Sequence, residues 1–278
     1  VGDSAYVGGT THWTEITAGW TAEEMAVPAN ATLRDVRLYV PYTWDKNAVM
    51  PDTVTLTFNG NETAYAAHYA DQKSYGTSYP YGMLVYNVTS LFSPDGNTAV
   101  LTKAEASTEV SMRGGMTLVA VYEDAAEPVR SIFINEGFDL LYGDASKSTT
   151  PEEATAYAPL GDMDTASVAS ARLITFAPGA NGPEGTLIFN NEVWENVWSY
   201  AGTTQIGIDD RQVSRFTQAS GNTAAFRSES EYFEAACTIL VTEHHTPVSL
   251  DIPPLSPGWN MVSFPPGESG NITLPPRR

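Results

Sequence analysis

Apolar and polar residues alternate with a period of two through most of the chain. In Val54-Thr55-Leu56-Thr57-Phe58 the apolar side chains fall on one face and the threonines on the other, and Val36, Leu38 and Val40 alternate in the same way with Arg37 and Tyr39. That period predicts half-buried β-strands. Gly96-Asn97 and Gly221-Asn222 stand just before new β-prone runs, where a backbone needing positive φ favours glycine or asparagine, so both pairs predict turns. Helical signal is confined to Thr150-Pro151-Glu152-Glu153-Ala154-Thr155. There Thr150 can cap, proline suits the first helical position and the glutamates suit the positive helix end, predicting one or two turns.

The pattern runs twice. The segments beginning Ala31-Thr32-Leu33, Thr55-Leu56-Thr57, Val88-Thr89-Ser90 and Met116-Thr117-Leu118 return in the same order as Ala166-Ser167-Val168, Thr186-Leu187-Ile188, Val213-Ser214-Arg215 and Cys237-Thr238-Ile239. The offset drifts from about 135 to about 121 residues, the size of a domain rather than of a solenoid or propeller repeat. The expectation is an all-β chain of two tandem antiparallel β-sandwiches with jelly-roll-like connections, related by internal duplication. Residues 1–142 form the first sandwich, 143–165 a loop-rich connection, 166–248 the second sandwich, and 249–278 a Pro-rich linker with a C-terminal strand or tail.

Charge narrows the partners. With 33 acidic against 14 basic residues the formal net charge is −19, which disfavours nucleic acid and anionic membrane surfaces. No apolar run approaches the roughly 18 residues that span a bilayer, so no transmembrane segment is expected. The chain opens on Val1 without a basic-then-apolar leader, as in a processed, secreted product or a chain trimmed at both ends. Asn-X-Ser/Thr sequons at Asn30, Asn61, Asn87 and Asn271 are candidate glycosylation sites. Cys237 is the single cysteine, so no intrachain disulfide framework exists; a buried thiol on the face of Ile239 and Val241 and an intersubunit disulfide are the two readings.

Catalytic constellations are missing. His12 and His68 stand apart, and adjacent His244 and His245 point to opposite faces of a strand, so they cannot share a metal without a bulge. Glu136, Asp139, Asp162, Asp164, Asp209 and Asp210 could supply a glycosidase pair, but in so acidic a chain some pair is inevitable, and no enzyme is expected. No cofactor is expected either. Structural calcium at Gly161-Asp162-Met163-Asp164 is a candidate by its alternating oxygen donors, although the segment lacks the glycine and distal glutamate of the twelve-residue calcium loop.

Trp194, Trp198 and Tyr200 could stack on sugars, while the spacing of the two tryptophans suits core packing as well. In the tail, prolines from Ile252 to Gly258 make a stiff spacer, and Trp259, Met261, Val262 and Phe264 follow as a strand that pairs either with a neighbouring subunit or with its own sandwich.

The segments Tyr86-Asn87-Val88-Thr89-Ser90-Leu91, Leu118 to Asp124, Ile134-Asn135-Glu136-Gly137-Phe138-Asp139-Leu140-Leu141 and Thr150 to Pro159 resemble an uncharacterised β-rich domain of envelope proteins from methanogenic archaea. The resemblance implies surface display in S-layer, sheath or adhesion components, and it carries no catalytic residue. The function expected from sequence is therefore an extracellular structural subunit that self-assembles into a cell-surface layer, sheath or filament. The alternative is a carbohydrate-binding or adhesion module, with other envelope proteins or glycans as partners.

Overall fold

The computed structural model describes residues 1–73, 78–105, 107–112, 115–180, 182–200 and 204–245, and the backbone of 248–249 and 270–271. The alternating segments form strands. The first half carries β1 (Asp3–Val7), β2 (Glu15–Thr21), β3 (Thr32–Tyr42), β4 (Val54–Phe58), β5 (Asn61–Thr63), β6 (Ala67–Asp71), β7 (Tyr81–Asn87), β8 (Gly96–Lys103) and β9 (Thr117–Glu123). The second carries β10 (Arg130–Leu141), β11 (Thr155–Pro159), β12 (Val168–Pro178), β13 (Glu184–Phe189), β14 (Glu192–Trp198), β15 (Ile206–Gln212), β16 (Thr223–Arg227) and β17 (Phe233–His244). A two-residue parallel pair, Val248–Ser249 with Gly270–Asn271, follows.

These strands make four antiparallel sheets: sheet I (β1-β2-β8-β4-β5), sheet II (β6-β7-β3-β9), sheet III (β10-β17-β12-β15) and sheet IV (β11-β16-β13-β14). Sheets I and II enclose one core, with Ile16, Trp20, Leu38, Val40, Phe58 and Leu101 buried between them. Sheets III and IV enclose another around Leu173, Phe189, Phe226 and Leu240. A third cluster joins Tyr39, Met83 and Val85 of sheet II to Phe176, Ile206, Ala236, Cys237 and Ile239 of sheet III. The four sheets therefore stack as layers, and the two inner ones are covered on both faces. That explains why Tyr39, on the polar face by alternation, is 1 % exposed: its face meets another sheet rather than water.

Strand order is the same in both sandwiches. Sheet I contains β2-β8-β4-β5 where sheet IV has β11-β16-β13-β14, and sheet II contains β7-β3-β9 where sheet III has β15-β12-β17. Local hydrogen bonds repeat as well. The Asn59 side chain donates to Asn97 Oδ1 at 2.9 Å and accepts from the Thr98 amide at 2.8 Å; Asn190 donates to Asn222 Oδ1 at 3.0 Å and accepts from the Thr223 amide at 2.9 Å. The Thr89 hydroxyl accepts from the Val36 amide at 2.8 Å, as Ser214 does from Ala171 at 2.8 Å.

Two boundaries differ from the sequence expectation. The segment 130–141, assigned there to the first sandwich, is β10, which pairs with β17 from Arg130↔Glu243 to Leu141↔Phe233 and belongs to the second. The expected connector 143–165 contains β11, paired with β16. Both strands pair with partners more than 60 residues away, a relation that local periodicity does not record. At Thr150 the expected cap is present, with Thr150 Oγ1 accepting from Glu153 N at 3.2 Å and Glu153 Oε2 from Thr150 N at 2.9 Å, but only one turn forms before β11 begins. A short helix that periodicity missed, α1 (Ala22–Met25), is closed by the same reciprocal capping between Thr21 and Glu24.

Candidate functional site

A cleft of about 670 Å³ opens where sheet IV meets the turn from β16 into β17. Its floor comes from the start of β13, including Glu184 and Thr186, and from Glu195 and Asn196 of β14; Arg227 and the loop Ser228–Glu231 form its wall. The loop is pinned from beneath. Buried Ser228 donates its hydroxyl to the Glu231 carbonyl at 2.5 Å and accepts from the Gly143 amide at 3.1 Å, while its own amide reaches the Ala154 carbonyl at 3.0 Å. A Cβ at Gly143 would run into the Ser228 carbonyl oxygen, so only glycine permits this approach.

Polar groups in the cleft are partly committed. Glu229 Oε1 accepts from Arg227 Nε at 2.9 Å and from buried Thr186 at 3.1 Å, which fixes that carboxylate on the wall. Glu195 and Glu231 are exposed. Beside the loop, the rings of Tyr142 and Tyr232 stack with centroids 4.0 Å apart and planes 9° from parallel, and Tyr232 is 38 % exposed. Tyr142 donates its hydroxyl to Asp144 at 2.8 Å, and this bond pushes its ionisation up to about 12. The cleft itself offers carboxylate and amide groups, with buried Phe233 at its base and exposed Tyr232 one residue before it along the chain.

Glu234, the second residue of β17, lies 2 % exposed with Oε2 lacking a hydrogen-bond partner. Its carboxyl sits against Gly179, whose φ of +79° and missing Cβ leave the space it fills. Burial, reinforced by the nearby Glu184 carboxylate, holds its proton well above the usual carboxylate range.

The carboxylates singled out from sequence are not brought together. Glu136 accepts from Tyr39 and Arg37; Asp139 pairs with Lys73 at 3.0 Å. Asp209 pairs with Arg211 and Asp210 with Arg172. Asp162 accepts from the Gly221 amide and Asp164 from the Ala166 amide, so both act as loop clasps. Among the described residues no group of three or more His, Cys, Asp or Glu is arranged to hold a metal ion. His12 bonds Thr11, His68 bonds Tyr42, and His244 bonds Ser131 and Ser167, in separate places.

Of the proposed sugar platform, Trp198 is 0 % exposed and donates to Thr175 at 2.9 Å in the second core. Trp194 packs edge-on against Phe216 beneath the Arg211 guanidinium, and Tyr200 accepts from Gln205. That platform is thus a core and edge assembly, whereas exposed Tyr232, which directly follows the cleft wall in sequence, lacks any periodic signal. The only hint in the sequence is the polar run Ser228-Glu229-Ser230-Glu231 broken by an aromatic residue.

Cys237 is buried at 2 % exposure between sheets II and III, and burial pushes its thiol up to about 12. An intersubunit disulfide there is excluded by the covering sheet. Asn30, Asn61 and Asn87 are exposed; Asn87 is held in a turn by the Thr89 amide at 3.1 Å. Trp259, Met261, Val262, Phe264 and the Asn271 side chain lie outside the described residues. No helix among the described residues is long and apolar enough to cross a membrane.

No curated protein matches the chain. Among solved structures, that titled "Crystal structure of BuGH86E322Q in complex with neoagarooctaose" aligns at 8 % identity and a TM-score of 0.28 over 76 % of this chain and 32 % of that one. This chain thus spans about a third of that protein's length. A family model covers residues 1–243, and on that match the chain belongs to the family described as "Protein of unknown function (DUF3344)".

Proposed function

We propose that this protein is a non-catalytic, extracellular carbohydrate-binding module of a cell surface, using the cleft between sheet IV and the Ser228–Tyr232 loop. The observation that carries the reading is a polar cleft whose wall, Ser228–Glu231, runs directly into the exposed Tyr232 of a stacked tyrosine pair. Sugars present an apolar ring face and a rim of hydroxyls, and an aromatic face beside carboxylates and amides complements both. Its volume falls within the range of small-ligand sites. Ser228, at the base of the loop, accepts from the Gly143 amide with its hydroxyl and donates its amide to the Ala154 carbonyl, which limits the ordering entropy lost on binding. The non-catalytic reading is supported by the ion pairing of Glu136, Asp139, Asp209 and Asp210 with Arg37, Lys73, Arg211 and Arg172.

Surface display, the kinship with methanogen envelope proteins, and descent of the two sandwiches from a duplicated domain belong to the same reading. The repeated strand order and asparagine clasps support the last of these. Depletion of the purified protein by insoluble chitin, cellulose and β-1,3-glucan tests the proposal. Wild type should be retained by at least one of them and Tyr232→Ala should not; no retention of wild type on any polysaccharide, or equal retention of both, overturns it.

A further inference from the structure

A second exposed aromatic stands in a loop of the first sandwich. Trp44 is 51 % exposed although its backbone takes φ +54°, a left-handed conformation that is unfavourable for a bulky residue and persists only where its surroundings enforce it. The enforcement is visible on both sides. Thr43 bridges to Ser111, and Asp45, 1 % exposed, accepts from the amides of Val49 and Met50 at 3.1 and 2.9 Å. A loop this firmly anchored turns an indole outward instead of burying it.

The loop is also bonded to the segment that leads into β7. The Asp45 amide donates to the Pro80 carbonyl at 3.1 Å, which sets the loop beside Tyr81, the first residue of β7. Tyr81 pairs across β6–β7 with Asp71, whose carboxylate accepts from the Leu140 amide at 3.0 Å. Two residues beyond Leu140 is Tyr142, stacked on Tyr232. Along these contacts Trp44, Tyr81, Tyr142 and Tyr232 follow one another as a row, from the first sandwich to the residue that succeeds the cleft wall Ser228–Glu231.

We propose that the row is one extended binding track, and that the ligand is a polysaccharide chain lying across both sandwiches rather than a single sugar or a chain end. This rests on the carbohydrate reading of the cleft. A short sugar occupies the cleft and Tyr232 alone, whereas a longer chain also reaches Trp44. The strain at Trp44 has a use in that arrangement, because it holds a stacking surface where a continuing chain would pass.

The test is calorimetric titration of the full chain with a disaccharide and a hexasaccharide of the chito and cello series. Wild type should bind the hexasaccharide at least tenfold more tightly than the disaccharide. Trp44→Gly, which keeps the left-handed backbone accessible, should remove that advantage and leave disaccharide affinity unchanged. Trp44→Tyr should restore most of it, and Tyr232→Ala should weaken both ligands. Binding of wild type that does not depend on chain length, or a Trp44→Gly variant that retains the length advantage, overturns the track while leaving the cleft reading intact. No binding of either sugar by wild type overturns both.

Discussion

Tyr39 of sheet II donates its hydroxyl to Glu136 of sheet III at 2.9 Å. The same carboxylate accepts from Arg37 at 2.7 Å and from Tyr69 at 3.3 Å, so one side chain of the second sandwich is bonded to three of the first. Around this point lies the third apolar cluster, where each large side chain contributes about 1.5–3 kcal/mol by burial. The two sandwiches are joined by a core of their own, and a hinge between them would have to open it.

Unfolding should therefore be a single cooperative transition, in spite of the two-sandwich architecture. Glu136→Ala leaves the Tyr39 hydroxyl and an Arg37 nitrogen without their partner in a covered interface, and should lower stability by about 2–4 kcal/mol. Differential scanning calorimetry checks both statements. Two resolved transitions in wild type, or a variant unfolding at the wild-type temperature, would show that the seam is a loose contact.

The asparagine clasps should be equivalent in energy as they are in geometry. Asn59→Ala and Asn190→Ala each remove side-chain bonds to a neighbouring asparagine, a backbone amide and a backbone carbonyl. Each should cost about 2–3 kcal/mol, and the double variant should cost the sum because the clasps stand in different cores. Urea denaturation of the three variants measures this; an effect at one site only would mean that the shared geometry conceals unequal roles.

Much of the fold is legible in the sequence because local alternation writes it. Leu56 and Phe58 are buried while Thr55 is exposed, and Val36, Leu38 and Val40 line the first core. What the pattern does not carry is the second covered face of sheets II and III. Cys237-Thr238-Ile239-Leu240-Val241 is nearly continuous in apolar character, the signature of a strand buried on both sides, yet the sheet that covers it lies over 100 residues earlier in sequence. The candidate site was less legible. Trp44 and Tyr232 sit in loops where no periodicity applies, and their relation depends on how two sandwiches meet.

Cys237 should be inert in the native protein. Its thiol, raised to about 12 by burial, stays protonated at neutral pH and is covered by sheet II. Reaction with a thiol-reactive disulfide reagent should proceed only as fast as the protein opens, and Cys237→Ser should cost about 1–2 kcal/mol for placing a hydroxyl in an apolar site. Rapid stoichiometric labelling under native conditions would show the interface to be open.

Glu234 makes stability depend on pH in a definite direction. Burial holds its folded-state pKa well above the usual carboxylate range, so the folded protein binds the proton more tightly than the unfolded chain. Its contribution is most favourable below the unfolded pKa, and stability falls as pH rises from there through the folded pKa. Glu234→Gln keeps the shape without the ionisation and should gain about 1–3 kcal/mol over wild type at pH 8, with the gap closing toward pH 4. Thermal melts across that range decide it; a gap that is constant with pH would place the Glu234 carboxylate in contact with water or a cation.

The most direct measurement of the central claim is amide hydrogen exchange of the intact chain with and without a bound polysaccharide. Slower exchange should be concentrated in Ser228–Tyr232 and the facing ends of β13 and β14, extending to the loop around Trp44 when the sugar chain is long. Protection located on another face, or unchanged exchange at the cleft under saturating ligand, would contradict the account.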